Sequence, residues 1–170
     1  ATRDIGYTDM PEYTAGLNTG FSWKNFDFSM QWTGAWNVDR MLDEFRRPLG
    51  DTNEKGLLLY QYNTTWRSSA DTFTAKFPRT SSLHASNNYA GSDLYLINAS
   101  YLRLKSVEIG YNFNFPFMKK LKMDNCRLYV NGYNLITITG FKWGDPESRQ
   151  SSRPNYPLTR VFNVGLKLGF

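Results

Sequence analysis

The chain has 170 residues, a net charge of +5, 41% hydrophobic and 16% aromatic residues, and a mean hydropathy of -0.53. No apolar run reaches the roughly 18 residues of a membrane helix, and one cysteine, Cys126, excludes an internal disulfide framework. The single histidine, His84, lies in a Ser/Asn-rich stretch, so neither a His-based metal centre nor a Ser-His-Asp triad can be built within the chain.

The opening stretch Ala1–Glu12 is polar, carries no signal-peptide pattern and reads as the middle of a loop, so the chain reads as a fragment of a longer one. Strict alternation then begins. In Tyr13–Trp23 the odd positions Tyr13, Ala15, Leu17, Thr19, Phe21 and Trp23 oppose Thr14, Gly16, Asn18, Gly20 and Ser22. In Phe26–Trp36 the even positions Phe26, Phe28, Met30, Trp32, Gly34 and Trp36 oppose Asp27, Ser29, Gln31, Thr33 and Ala35. Period two is the signature of a strand with two unlike faces, and the intervening Lys24-Asn25 suits a tight hairpin. The polar faces hold small residues, amides and hydroxyls, which suits a wet lumen, while the opposite faces suit lipid.

Asn37 to Ser92 reads as a long polar loop, with a short helix over Val38–Phe45 capped by Asn37. Glu54–Trp66 holds a second segment compatible with helix or strand. Tyr101–Phe113 is a third strand, with Val107, Ile109, Tyr111 and Phe113 outward and Glu108, Gly110 and Asn112 inward. Arg103 and Lys105 share the outward parity, which is costly at mid-bilayer; either that end projects above the membrane or a bulge flips the register. After a turn over Asn114–Met123, the fourth strand spans Cys126–Ile138. Its lipid face is Leu128, Val130, Ile136 and Ile138, and its interior face is Arg127, Tyr129, Asn131 and Tyr133. A loop over Thr139–Leu158 leads to Arg160–Phe170, where Phe162, Val164, Leu166, Leu168 and Phe170 form one apolar face.

Strands of about 11 residues have the length of a tilted transmembrane strand. Short connections alternate with long ones, the order expected of periplasmic turns and extracellular loops. The expected fold is therefore all-β, part of a transmembrane antiparallel β-barrel. A soluble β-sandwich carbohydrate-binding module is the alternative, and the parity of Arg103 and Lys105 is the feature that favours it.

Charge is uneven, from -2 over residues 1–36 to +7 over residues 94–170. Lys119, Lys120 and Lys122 cluster in one turn, but without interleaved exposed aromatics or a docking helix they read as a headgroup-facing turn, not a nucleic-acid footprint. No phosphate-binding loop is present, and no catalytic residue or cofactor is assigned. Asp43 with Glu44 and Asp145 with Glu147 read as solvated loop charges, and no metal site is assigned to them. Cys126 in its strand reads as a small apolar residue. In the loops, Tyr60, Tyr62, Trp66 and Trp143 are candidates for contact with a ligand or a lid, because aromatic faces suit sugar rings and peptide side chains alike. Packing within the loops is the competing account. Trp36 is better read as an interfacial anchor.

Five pieces carry a family resemblance. Ala99–Tyr111 resembles a segment near the end of SusC/RagA-family TonB-dependent transporters, and Arg127–Leu135 is similar to the strand that follows it. Gly144-Asp145-Pro146-Glu147 resembles that family's acidic loop, Tyr156–Arg160 its approach to a closing strand, and Tyr13–Gly34 its upstream hairpin. The resemblance covers most of the chain outside roughly Asn37–Ser92. It implies Bacteroidetes-type outer-membrane barrels of about 22 strands with an N-terminal plug. Such barrels import oligosaccharides or peptides, are powered by the TonB complex and are covered by a SusD-like surface lipoprotein. On that reading the chain supplies the last five strands and extracellular loops 37–92 and 139–158, and lacks the plug. Its partners are the remaining barrel and plug, the lipoprotein, TonB through the missing part, the lipid bilayer and the outer-membrane barrel assembly machinery. The signal for that machinery is the closing strand with Phe162, Val164, Leu166, Leu168 and Phe170. A TonB-linked receptor or adhesion scaffold without uptake is the remaining alternative.

Overall fold

The computed structural model describes residues 6, 8–42, 59–80, 90–114, 116, 122–148 and 158–170. Five long strands form one antiparallel sheet: β1 (Tyr13–Trp23), β2 (Phe26–Trp36), β5 (Tyr101–Phe113), β6 (Asn125–Thr139) and β7 (Val161–Gly169), in that spatial order. Between β2 and β5 the chain makes a short ladder of β3 (Asp39–Met41) with β4 (Leu96–Asn98) and a one-and-a-half-turn helix, α1 (Leu59–Thr64). The β1–β2 hairpin closes over Lys24-Asn25, with Trp23 opposite Phe26 and Lys24 in the left-handed region at φ 54°.

Cross-strand partners share a face of the sheet, so the register sorts the side chains. Leu17 faces Trp32 and Phe21 faces Phe28, whose rings lie 5.4 Å apart. Phe28 faces Ile109 and Met30 faces Val107. Ile109 faces Val130, Val130 faces Val164, and Cys126 faces Leu168. This apolar face runs across all five strands and nothing among the described residues covers it: Leu17 and Leu166 are each 59% exposed and Phe162 is 70% exposed.

The opposite face is polar and knitted together. At its centre Arg127 donates to Asp27, through Nε at 3.1 Å and through a second contact, and to Glu108 at 2.8 Å. Asn112 donates to Asp27, Asn131 to Glu108, and Asn163 to Asn131 at 3.0 Å. Two glycines make room: a Cβ on Gly110 would collide with the Arg127 guanidinium, and one on Gly165 with the Tyr129 ring.

The apolar core lies in the loops, beyond one end of the sheet. Val38, Leu42, Ala99 and Phe141 form one buried cluster with Ile97 and Trp143 packed on it, and Phe77 and Tyr95 form a second with Met41. The segment before β1 joins this canopy. Asp39 N–H donates to the Thr8 carbonyl, Asn37 donates to Glu12, and Arg40 donates to the Asp9 carbonyl.

The canopy corrects one expectation. No helix spans Val38–Phe45: Asn37 turns through φ 54° and the chain resumes pairing as β3. The reason is long-range, since the partner strand β4 lies more than fifty residues away and Val38 and Leu42 are buried by residues of other loops. Phe45, like Asp43, Glu44, His84, Lys119 and Lys120, lies outside the described residues. Within Glu54–Trp66 the described part is helical, from Leu59 to Thr64.

Candidate functional site

The canopy end of the sheet collects the chemistry, and a β-bulge positions it. Gln31 faces Ser106, but the next pair is Trp32 with Leu104, so Lys105 is an extra residue on β5. On the other side, Ser106 faces Tyr133 and Leu104 faces Ile136, leaving Asn134 and Leu135 unpaired, with Asn134 at φ 54°. One extra residue exchanges the two faces of a strand. Below the bulge the odd positions of β5 are apolar-facing. Above it Leu104 and Leu102 take that face, and Arg103 turns to the polar one, opposite Thr33 and Thr137. The parity that favoured a soluble sandwich is thereby removed.

Arg103 is 2% exposed. Its Nε donates to Thr137 Oγ1 at 3.0 Å, one terminal nitrogen lies 2.7 Å from Asp145 Oδ1, and the other lies 2.6 Å from Glu147 Oε2. Lys105 reaches Glu147 at 3.3 Å. The carboxylates are held in turn by their own turn, in which Glu147 N–H donates to Asp145 Oδ1 and Ser148 N–H to the Asp145 carbonyl. A buried guanidinium needs both charge and hydrogen-bond partners, and the Asp145-Pro146-Glu147 turn supplies them, tying the β6–β7 loop down onto the sheet. Sequence reading placed Arg103, Asp145 and Glu147 separately and missed their union. The signal was the parity fault itself, because a cation at a lipid-facing position needs somewhere else to go.

The clamp fixes the aromatic residues. Trp143 stands two residues before Asp145, packs on the Val38 cluster, and meets the Tyr60 ring at 4.9 Å. Tyr60 also makes an edge contact with Phe77 at 6.0 Å, and Phe77 stacks on Tyr95. Two of the four aromatic candidates, Tyr60 and Trp143, are thus brought together as part of the canopy. The other two, Tyr62 and Trp66, line a separate recess of about 290 Å³ with Thr65, Arg67, Arg79 and Thr80. Next to it the Asp71 carboxylate accepts the backbone N–H groups of Ser68 at 3.0 Å and Arg67 at 3.1 Å. These bonds hold its carboxyl below the usual range. Among the described residues no group of His, Cys, Asp and Glu has the arrangement of a metal site.

Comparison with known proteins places this architecture. No family model matches the chain. TonB-dependent receptor P3 of Formosa agariphila is 29% identical over 187 residues, covering 100% of this chain and 17% of its own length. TonB-dependent receptor SusC of Bacteroides thetaiotaomicron is 29% identical over 91% of this chain and 15% of its own. Among solved structures, the RagAB peptide importer in its closed-closed state superposes with a TM-score of 0.75 at 22% identity, over 96% of this chain and 18% of that one. That last likeness speaks to the fold. The chain thus spans about a sixth of the length of the relatives it matches.

The uncovered apolar sheet face and the polar face knitted at its centre accord with a segment of the TonB-dependent receptors to which the chain is similar. By sequence it is similar to SusC and by fold to the RagAB importer, in each case over about a sixth of their length.

Proposed function

We propose that the chain forms wall and outer mouth of an active importer that takes up oligosaccharides or peptides across the outer membrane. The observation that carries this reading is the apolar face left bare across five strands while the polar face is knitted at its centre by the Arg127 network. In water such a face would be a large exposed patch; against acyl chains it is the solvated side. The 11-residue strands β1 and β2, tilted as barrel strands are, rise about 25 Å, the height of the apolar band of outer-membrane barrels.

Strands β1 and β7 are the sheet's edges among the described residues. Unpaired edges are not tolerated in hydrocarbon, so the sheet is completed by further strands, in the same chain or another. In this reading β1, β2, β5, β6 and β7 are the last five of about 22 strands. The Lys24-Asn25 hairpin faces the periplasm and the canopy faces outward. A plug, TonB contact and a SusD-like lipoprotein over the canopy complete the machine. The face of β7, with Phe162, Val164, Leu166 and Leu168, together with Phe170, serves as the signal for the barrel assembly machinery. Tyr60, Tyr62, Trp66 and Trp143 stand where cargo or lid would pass.

The test is made on native membranes. Peptides of this sequence are expected in a detergent-extracted outer-membrane species of about 100 kDa, on the scale of barrels this size. Deleting its gene, or the TonB energiser, is expected to abolish uptake of one class of labelled oligosaccharide or peptide. A species the size of this chain alone, soluble without detergent, overturns the reading.

A further inference from the structure

The turn between β1 and β2 places a lysine where the backbone favours another residue. Lys24 is exposed and sits at φ 54°, in the left-handed region that glycine or asparagine adopts at little steric cost. Asparagine is present, but one place later, as Asn25. A strained conformation kept for such a residue is a mark of functional use of its side chain. The turn itself is fixed, because Asn112 N–H donates to the Asn25 carbonyl at 2.7 Å and ties the hairpin to β5.

Beside this turn lies a recess of about 530 Å³, lined by Trp23, Lys24, Asn25, Phe26 and Tyr111. Trp23 pairs with Phe26 and Phe26 with Tyr111, so three rings stand in one cross-strand row on the bare apolar face. Phe21 lies 6.0 Å from Phe26, and Phe113 meets Tyr111 edge-on at 4.9 Å, which fixes the row at both ends. The Lys24 ammonium lies 4.9 Å over the Trp23 ring. No carboxylate among the described residues pairs with it, and Asp27, three residues on, is turned to Arg127 and Asn112 on the polar face. The Trp23 indole N–H and the Tyr111 hydroxyl have no acceptor among the described residues either. Apolar bodies with polar tips of this kind suit the boundary between hydrocarbon and headgroups.

We propose that this recess seats one anionic phospholipid, its phosphate on Lys24 and its glycerol and upper acyl chains against Trp23, Phe26 and Tyr111. The proposal rests on the reading of the sheet as barrel wall, which sets the turn at the periplasmic rim, beside the leaflet made of phospholipid. A recess that opens on the lipid face and ends in a cation fits an occupant that is apolar along its length and anionic at its tip. A soluble anion has no use for three rings, and a bare acyl chain has none for an ammonium. The Trp23 face takes up one side of that ammonium and leaves donors for phosphate oxygens. Phosphatidylethanolamine carries its own ammonium beside its phosphate, whereas phosphatidylglycerol brings a net negative charge for Lys24 to meet.

The experiment uses the full-length receptor in phosphatidylethanolamine nanodiscs doped with a photoreactive lipid, either phosphatidylglycerol or phosphatidylethanolamine, bearing a diazirine on the upper acyl chain. After illumination the labelled peptides are mapped. In the wild type, peptides carrying residues 23–26 and Tyr111 are expected to take up about fivefold more label from the phosphatidylglycerol probe, the scale of one lysine at an anionic surface. K24R is expected to keep that preference, and K24Q and K24G to erase it. K24G also relieves the left-handed backbone, which separates loss of the charge from loss of the turn. K122Q removes another exposed lysine in the left-handed region at the same end of the sheet, outside the recess, and is expected to leave the preference unchanged. Equal labelling by the two probes, a preference that survives K24Q, or an equal loss in K122Q overturns the site. Label at Leu128 and Val164 in that case leaves the barrel-wall reading standing, whereas absence of label along the whole apolar face sinks that reading itself.

Discussion

Replacing Arg103 with methionine tests whether the canopy is held by one buried cation. The substitution keeps the aliphatic stem but leaves Asp145, whose side chain is 7% exposed, and Glu147, at 39%, without their guanidinium. Removing one partner of a buried ion pair costs about 3–5 kcal/mol where the stranded charge stays buried. Glu147 can rehydrate in place and Asp145 can do so only if its turn lifts, so the expected loss is about 3 kcal/mol, taken as opening of residues 140–148 with the strands intact. Hydrogen exchange on the full-length receptor is the assay. Amides of Phe141, Glu147 and Ser148 should exchange roughly a hundredfold faster, while those of β6 below Tyr133 stay unchanged. The triple variant R103M/D145N/E147Q, with no charge left to strand, should recover most of the protection. The Lys105–Glu147 pair, 38% and 39% exposed, should couple by no more than about 1 kcal/mol. Unchanged exchange in R103M, or a Lys105 coupling as large as that of Arg103, would refute the argument.

Three further outcomes follow from the same contacts. Gly165→Val should impair barrel folding by about 1–3 kcal/mol because its Cβ meets the Tyr129 ring, and Tyr129→Ala should restore much of that loss in a refolding titration. Leu128→Arg, on the bare apolar face and 41% exposed, should destabilise the membrane-inserted protein by about 2–4 kcal/mol. Asn131→Ala, on the opposite face, should cost far less in the same assay. For Asp71, the lowered carboxyl pKa means that its contribution is present above the unfolded value near 3.8. That contribution is lost as pH falls through the folded value. Protection of the Arg67 and Ser68 amides, taken relative to the intrinsic exchange rate at each pH, should therefore fall on acidification in the wild type and be insensitive to the same pH step in Asp71→Asn.

The strands were legible because alternation is local. Tyr13–Trp23 and Phe26–Trp36 stand at the residues where the two-residue period begins and ends, and Cys126 sits opposite Leu168 on the apolar face, as its strand position suggested. What alternation does not carry is pairing at a distance. Asp39–Met41 has helix-compatible spacing, and only the presence of Leu96–Asn98 alongside makes it a strand. The position of Arg103 was legible as a fault and not as a solution, because a bulge is defined by counts on neighbouring strands, which one strand's sequence does not contain. The aromatic candidates were chosen by residue type. Their division into a packed pair, Tyr60 with Trp143, and a recess pair, Tyr62 with Trp66, follows from the Thr65–Phe77 bridge, which leaves no local signature.

The extra residue at Lys105 separates two kinds of evolutionary freedom. Its side chain is partly exposed and makes one long ion pair, so many residue types would serve there. Its unpaired placement is another matter: drawn into the ladder, it would swing Arg103 and Tyr101 to the apolar side and carry Leu102 and Leu104 into the aqueous one, whereas its loss would let Ser106 follow Leu104 with the faces unchanged. The wall is therefore intolerant of a change of length within its paired stretches and tolerant of one at the bulge, as loops are throughout. In a lineage that diversifies its mouth while conserving its wall, drift at this position should substitute freely, and single deletions in β5 should gather here and almost never at the paired residues on either side.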